Sequence, residues 1–161
     1  MLDPSYLRVL RKICERLSNT GINWALTGSC SFALQGIDVE PHDIDVQTNK
    51  TGAYKIENLF SEFLTSKIVF SSAERIRSYF GVLMIDEIKV EIMGDIEILR
   101  EDRSWEEPID LNLHKQIVEV EEMKIPVLSL DYEYQAYLKL DRKEKAEMLR
   151  EWLKSKSSHH S

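Results

Sequence analysis

The amino-acid sequence predicts an α/β (α+β) domain. Three observations point there. Segments with helical apolar spacing alternate with short strand-like runs over the first 70 residues, and two hairpin-like strand pairs follow. The chain has 161 residues, 43% of them apolar, which is enough for one sizeable core and too little for several. Residues 1–154 are therefore expected to form one domain, with 155–161 as a small, polar, disordered tail.

The elements follow in order. Asp3 and Pro4 open a run with apolar residues at Leu7, Leu10, Ile13, Cys14 and Leu17, a capped helix expected to reach about Ser18 and to stop before Gly21. The run Asn23 to Thr27 reads as a short strand, Gly28-Ser29 as a tight turn, and Ser31 to Gln35 as a short helix closed by Gly36. Asp43 to Thr48 alternates with period two, putting Asp43 and Asp45 on one face and Ile44 and Val46 on the other. Ala53 to Leu64 has helical spacing, and Lys67 to Phe70 is strand-like.

Two longer runs, Arg77 to Ile85 and Ile88 to Met93, flank Asp86-Glu87 as an antiparallel hairpin. Glu101 to Asp110 reads as an exposed loop, and Gln116 to Glu121 with Lys124 to Leu128 as a second strand pair. Asp131 is expected to cap a helix to about Leu140, and a last helix to run from about Arg142 to Lys154.

Charge and composition exclude several classes. With 21 Lys and Arg against 28 Asp and Glu, the net charge of −7 leaves no broad basic field for coating nucleic acid. Residues 139–156 carry a local +3, so basic surface concentrates near the end of the chain. Cys14 and Cys30 form neither a disulfide framework nor a zinc-ligand pattern. No secretory leader or membrane-spanning run is read, and a reducing cytoplasm is the expected location. P-loop, dinucleotide-binding, EF-hand, zincin and hydrolase-elbow motifs are absent from the sequence.

Three features remain that can carry chemistry. The Gly28-Ser29 turn at a helix start offers backbone N–H groups and a hydroxyl to an anion such as phosphate, or is an ordinary helix start. Asp43 and Asp45 on one strand face repel each other unless a cation lies between them, which favours a divalent ion; otherwise they are a solvated strand face. Glu91 adds a third carboxylate if its strand lies beside Asp43 to Thr48, and is otherwise a surface partner of Lys89.

Taken together, Leu26-Thr27-Gly28-Ser29, Phe32-Ala33-Leu34-Gln35-Gly36, Asp43-Ile44-Asp45-Val46 and Val90-Glu91-Ile92 resemble the DNA polymerase β-like nucleotidyltransferases, particularly their small single-domain and AbiEii-like members. Ile125 to Leu130 and the following helix with Lys139-Leu140 are similar to that family's closing strand and helix. The resemblance implies a mixed β-sheet flanked by helices, with a nucleoside monophosphate moved from an NTP to an acceptor hydroxyl and pyrophosphate released. It implies two Mg²⁺ ions, with Mn²⁺ as a substitute, on Asp43, Asp45 and Glu91, and Glu91 near the attacking hydroxyl. Gly28 and Ser29 would hold the triphosphate, with Lys139 and Arg142, or Lys145, steadying phosphate charge.

The chain departs from that pattern at Glu40-Pro41-His42, where many relatives carry a basic residue and a Thr or Ser; His42 is read as a loop residue. No acceptor-binding domain is recognised. The acceptor is left open among a small molecule, a protein and an RNA end, and a chain of this length uses a small acceptor, a homodimer or a partner protein. A non-catalytic nucleotide-binding or antitoxin-like module of the same fold is the alternative.

Overall fold

In the computed structural model, which describes residues 2–158, five helices flank one seven-stranded mixed sheet. The strands are β1 (Trp24–Thr27), β2 (Ile44–Thr48), β3 (Leu64–Ala73), β4 (Ile76–Ile85), β5 (Ile88–Ile98), β6 (Lys115–Val120) and β7 (Met123–Leu128), in spatial order β3-β4-β5-β2-β1-β7-β6. β2 runs parallel to β5 and β1 parallel to β7, and the remaining neighbours are antiparallel.

The period-two alternation read from the sequence sorts the two faces of the sheet. Ile44 and Val46 of β2, Val90 and Ile92 of β5 and Leu26 of β1 are buried in the main core. Helices α1 (Pro4–Leu17) and α3 (Lys50–Leu59) cover that side with Val9, Leu10, Ile13 and Leu17, and with Ala53, Ile56 and the C-capping Phe60. The opposite face carries Asp43, Asp45 and Glu91, and is roofed by α2 (Gly28–Leu34), α4 (Leu130–Lys139) and α5 (Lys143–Ser158). Those helices share a smaller core of Phe32, Ile37, Leu130, Tyr137, Ala146 and Leu149.

The local signals explain most boundaries. Asp3 accepts the Ser5 N–H at 2.8 Å ahead of Pro4, so α1 starts where a cap and a proline at the first position place it. Two of the three hairpins, β4–β5 and β6–β7, turn through two left-handed non-glycine residues, Asp86-Glu87 and Glu121-Glu122.

Five expectations are corrected. The helix expected from Ser31 starts at Gly28, directly after β1. The helix expected over Ala53 to Leu64 spans Lys50–Leu59, because the Asn49 side chain accepts the Gly52 N–H at 2.7 Å and caps it earlier. Phe63 belongs to a one-turn helix, and Leu64 begins a strand longer than expected. Ser129, not Asp131, caps α4, accepting the Tyr132 N–H at 3.2 Å. Helix α5 continues through Ser155 to Ser158 in place of the expected disordered start of the tail, while 159–161 lie outside the described residues.

Candidate active site

The site is assembled where three strands place polar residues in one row. Thr27 pairs with Asp45 between β1 and β2, and Asp45 pairs with Glu91 between β2 and β5. Adjacent strands lie roughly 5 Å apart, so side chains at paired positions on one face must meet. One carboxylate oxygen from each of Asp43, Asp45 and Glu91 lies within 4.8 Å of the others. The Lys89 ammonium sits 3.6 Å from Asp43 and 3.5 Å from Glu91, a cation against the open side of the cluster.

The electrostatics follow from this crowding. Burial first, then the charges of Glu91 and Asp43, push the Asp45 carboxyl up to about 7. Lys89, on the exposed edge of the cluster, is raised above its usual value, first by the charge of Asp43 and then by that of Glu91. Three hard oxygen donors gathered this closely, the central one at Asp45 held above the usual carboxylate range, fit a divalent cation.

Gly28 closes the inner edge of the cluster. It has φ of +75°, and a β-carbon there would lie 2.4 Å from Asp45 Oδ2, so only glycine lets the turn approach the carboxylate. The Ser29 hydroxyl accepts the His42 N–H at 3.1 Å, and the Tyr6 hydroxyl donates to the His42 carbonyl at 2.7 Å. These two contacts anchor the loop that delivers Asp43, and they give His42 a structural part through its backbone.

A cavity of about 840 Å³ opens over this row. Gly28, Ser29, Asp43, Asp45, Glu91 and Arg142 all line it, as does Lys145. Lys139 does not: it points to the other side of α4 and pairs with Glu106 at 3.0 Å. Lys145 lies instead 5.5 Å from the Tyr137 ring centroid, on the cavity side.

Sequence reasoning missed Glu133. This α4 residue is 3% exposed, lines the cavity and accepts hydrogen bonds from the Thr27 hydroxyl and the Gly28 N–H. Burial raises its carboxyl to about 7 against the opposing pull of those two hydrogen bonds. It braces the Gly28 turn from behind.

Comparison with known proteins places the chain in a family. The family model of aminoglycoside-2''-adenylyltransferase matches residues 9–151, nearly the whole chain. The chain belongs to that family. It is thereby a nucleotidyltransferase, as the resemblance of its Gly28-Ser29, Asp43-Ile44-Asp45 and Val90-Glu91-Ile92 segments implied. A Thermotoga maritima protein assigned to the nucleotidyltransferases is 64% identical, with 96% of each chain covered and a TM-score of 0.85.

More distant members of the nucleotidyltransferase fold are similar in shape only. The lincosamide antibiotic adenylyltransferase LnuA, solved with lincomycin bound, is 16% identical over 89% of this chain and 95% of its own, with a TM-score of 0.56. ANT(2'')-Ia in complex with adenylyl-2''-tobramycin is 10% identical over 95% of this chain and 92% of its own, with a TM-score of 0.58. No curated protein matches the chain significantly. No helix among the described residues is long and apolar enough to cross a membrane.

Proposed function

We propose that this nucleotidyltransferase moves a nucleoside monophosphate from a Mg²⁺-bound NTP to an acceptor hydroxyl. The observation that carries the reading is the gathering of Asp43, Asp45 and Glu91 within 4.8 Å, beside the Gly28-Ser29 turn. Asp43 and Asp45 would hold two divalent ions, Mg²⁺ or Mn²⁺, and Glu91 would share one. Bound there, the ions would supply charge neutralisation to the triphosphate and increased acidity to the acceptor hydroxyl.

The chain's own residues do the rest. The Gly28-Ser29 turn receives the phosphates, and Arg142 and Lys145 face them from the roof of the cavity. Glu91 takes the proton of the acceptor hydroxyl. The hydroxyl oxygen forms a new bond to the α-phosphorus, and the bond from that phosphorus to the pyrophosphate oxygen breaks. Pyrophosphate leaves with the electron pair. Glu133 stays outside this exchange and keeps Thr27 and Gly28 in place.

Calorimetric titration with ATP, GTP, CTP and UTP, with and without Mg²⁺, tests the reading. Mg²⁺-dependent binding of at least one nucleotide, lost in the Asp43→Asn/Asp45→Asn variant, is expected. Absence of binding to all four would overturn it. Nucleotide binding without pyrophosphate release toward any hydroxyl acceptor would instead favour a non-catalytic module.

A further inference from the structure

We infer that the acceptor is a neutral, hydroxyl-bearing compound with an apolar face, and not a polycation; this rests on the transfer reading above. The direction of transfer across the sheet places the acceptor. The Gly28-Ser29 turn follows β1, the aspartates stand on β2, and Glu91 stands on β5. The cavity continues past Glu91 over β5 and β4, the side away from the phosphate turn.

That end of the cavity is apolar. One step along the sheet from the Asp45 and Glu91 row, Gln47 pairs with Met93, and Met93 with Phe80. Ile76, Ile96 and Ile98 extend the same floor. Ser71, Ser72 and the buried Ser78 add hydroxyls to its lining. A floor of this kind binds apolar surface through water exclusion and fixes orientation through a few hydrogen bonds.

Its charge argues in the same direction. The charged lining residue from β4 or β5 beyond Glu91 is Arg77, a cation, held at 2.8 Å by Glu97 and stacked 4.3 Å from the Trp105 ring centroid. The other acidic lining residues outside the triad lie at the opposite end: Glu40 precedes β2, and Glu133 is committed to Thr27. An acceptor with several ammonium groups would have to desolvate them over Met93 and Phe80 without carboxylate partners, which is strongly unfavourable.

Two titrations separate this inference from the reading beneath it. Mg²⁺-dependent NTP binding is measured first, because its absence removes the transfer reading itself whatever the cavity floor binds. The protein, saturated with Mg²⁺ and a non-reactive α,β-methylene analogue of the bound NTP, is then titrated with two probes. One is n-octyl β-D-glucoside below its micelle-forming concentration, and the other is tobramycin.

The glucoside is expected to bind at least about tenfold more tightly than tobramycin. Met93→Glu should weaken the glucoside at least about tenfold, with circular dichroism and melting temperature checking that the variant folds. Met93→Leu should retain it. Tighter binding of tobramycin, binding of neither probe, or glucoside binding indifferent to Met93→Glu would each overturn the inference while leaving Mg²⁺·NTP binding intact.

Discussion

Gly28, the first residue after β1, lies against the Asp45 side chain of β2, so closely that a β-carbon on Gly28 would lie 2.4 Å from Asp45 Oδ2. The Gly28-Ser29 turn and the central carboxylate are therefore one unit. Gly28→Ala strains a backbone at φ +75° and displaces Asp45 together. A stability loss of about 1–2 kcal/mol is expected from the backbone conformation alone. Mg²⁺-dependent nucleotide binding should fall beyond what that loss explains, as calorimetry on the folded variant would show. Unchanged nucleotide binding would separate the turn from the metal row.

The stability of the metal-free protein should fall as pH rises through neutrality. Asp45 and Glu133 both have folded-state values raised to about 7. A carboxyl raised on folding binds its proton more tightly in the native state. Its contribution is complete below its unfolded value near pH ~4 and is lost as pH climbs through the folded value. The melting temperature should therefore be higher at about pH 5 than at about pH 8. Asp45→Asn should flatten part of that slope, and Mg²⁺ should raise the melting temperature most at the alkaline end. A profile unaffected by Asp45→Asn would show that the crowding of this row has no energetic consequence.

The strand chemistry was legible in the sequence because alternation on a strand is strict. Ile44 and Val46 could face the core only if Asp43 and Asp45 faced away, and the same reasoning put Glu91 opposite Val90 and Ile92. Glu133 was hidden for a different reason. An acidic residue in the first turn of a helix ordinarily serves the helix dipole from the surface, and nothing local distinguishes one turned inward. Helix geometry already separates Lys139 from the inward row: Leu130, Glu133 and Tyr137 form the buried row of α4, and Lys139, two residues past Tyr137, falls about 200° around the helix. Helix starts at Gly28 and Lys50 escaped notice because the strand ends and the cap at Asn49 set them, not apolar periodicity.

Glu133 is expected to act by position and not by charge. Its carboxyl is buried against the Thr27 hydroxyl and the Gly28 N–H. Glu133→Gln keeps an acceptor oxygen there without a titrating group, so it should retain nucleotide binding and lose part of the pH dependence of stability. Glu133→Leu leaves the Thr27 hydroxyl and Gly28 N–H without this partner, at a cost of about 1–3 kcal/mol for each group left unsatisfied. Equal behaviour of the two variants in denaturant titration would argue against the brace.

Lys139 and Lys145 should behave oppositely, although both are lysines of the basic C-terminal segment. Lys139 is half exposed and paired with Glu106 outside the cavity, so Lys139→Ala should change stability by less than about 1 kcal/mol and leave nucleotide affinity unaltered. Lys145 lines the cavity, and Lys145→Ala should weaken Mg²⁺·NTP binding, with a KM increase exceeding any change in kcat. Titration of the two variants side by side checks both, and a larger loss at Lys139 would return the phosphate contact to α4.

Glu91→Gln separates proton acceptance from ion binding. Glutamine keeps a carbonyl oxygen at the position beside Asp45 but cannot take a proton from an acceptor hydroxyl. Turnover should fall by about 10²–10⁴-fold, the usual range for removal of a positioned base. Nucleotide affinity should fall far less, because Asp43 and Asp45 remain. Lys89, which bridges Glu91 and Asp43, loses one of its two carboxylate partners in this variant, so its hold on the cluster also weakens. A parallel loss of turnover and affinity would make Glu91 a ligand alone and leave the hydroxyl proton to solvent.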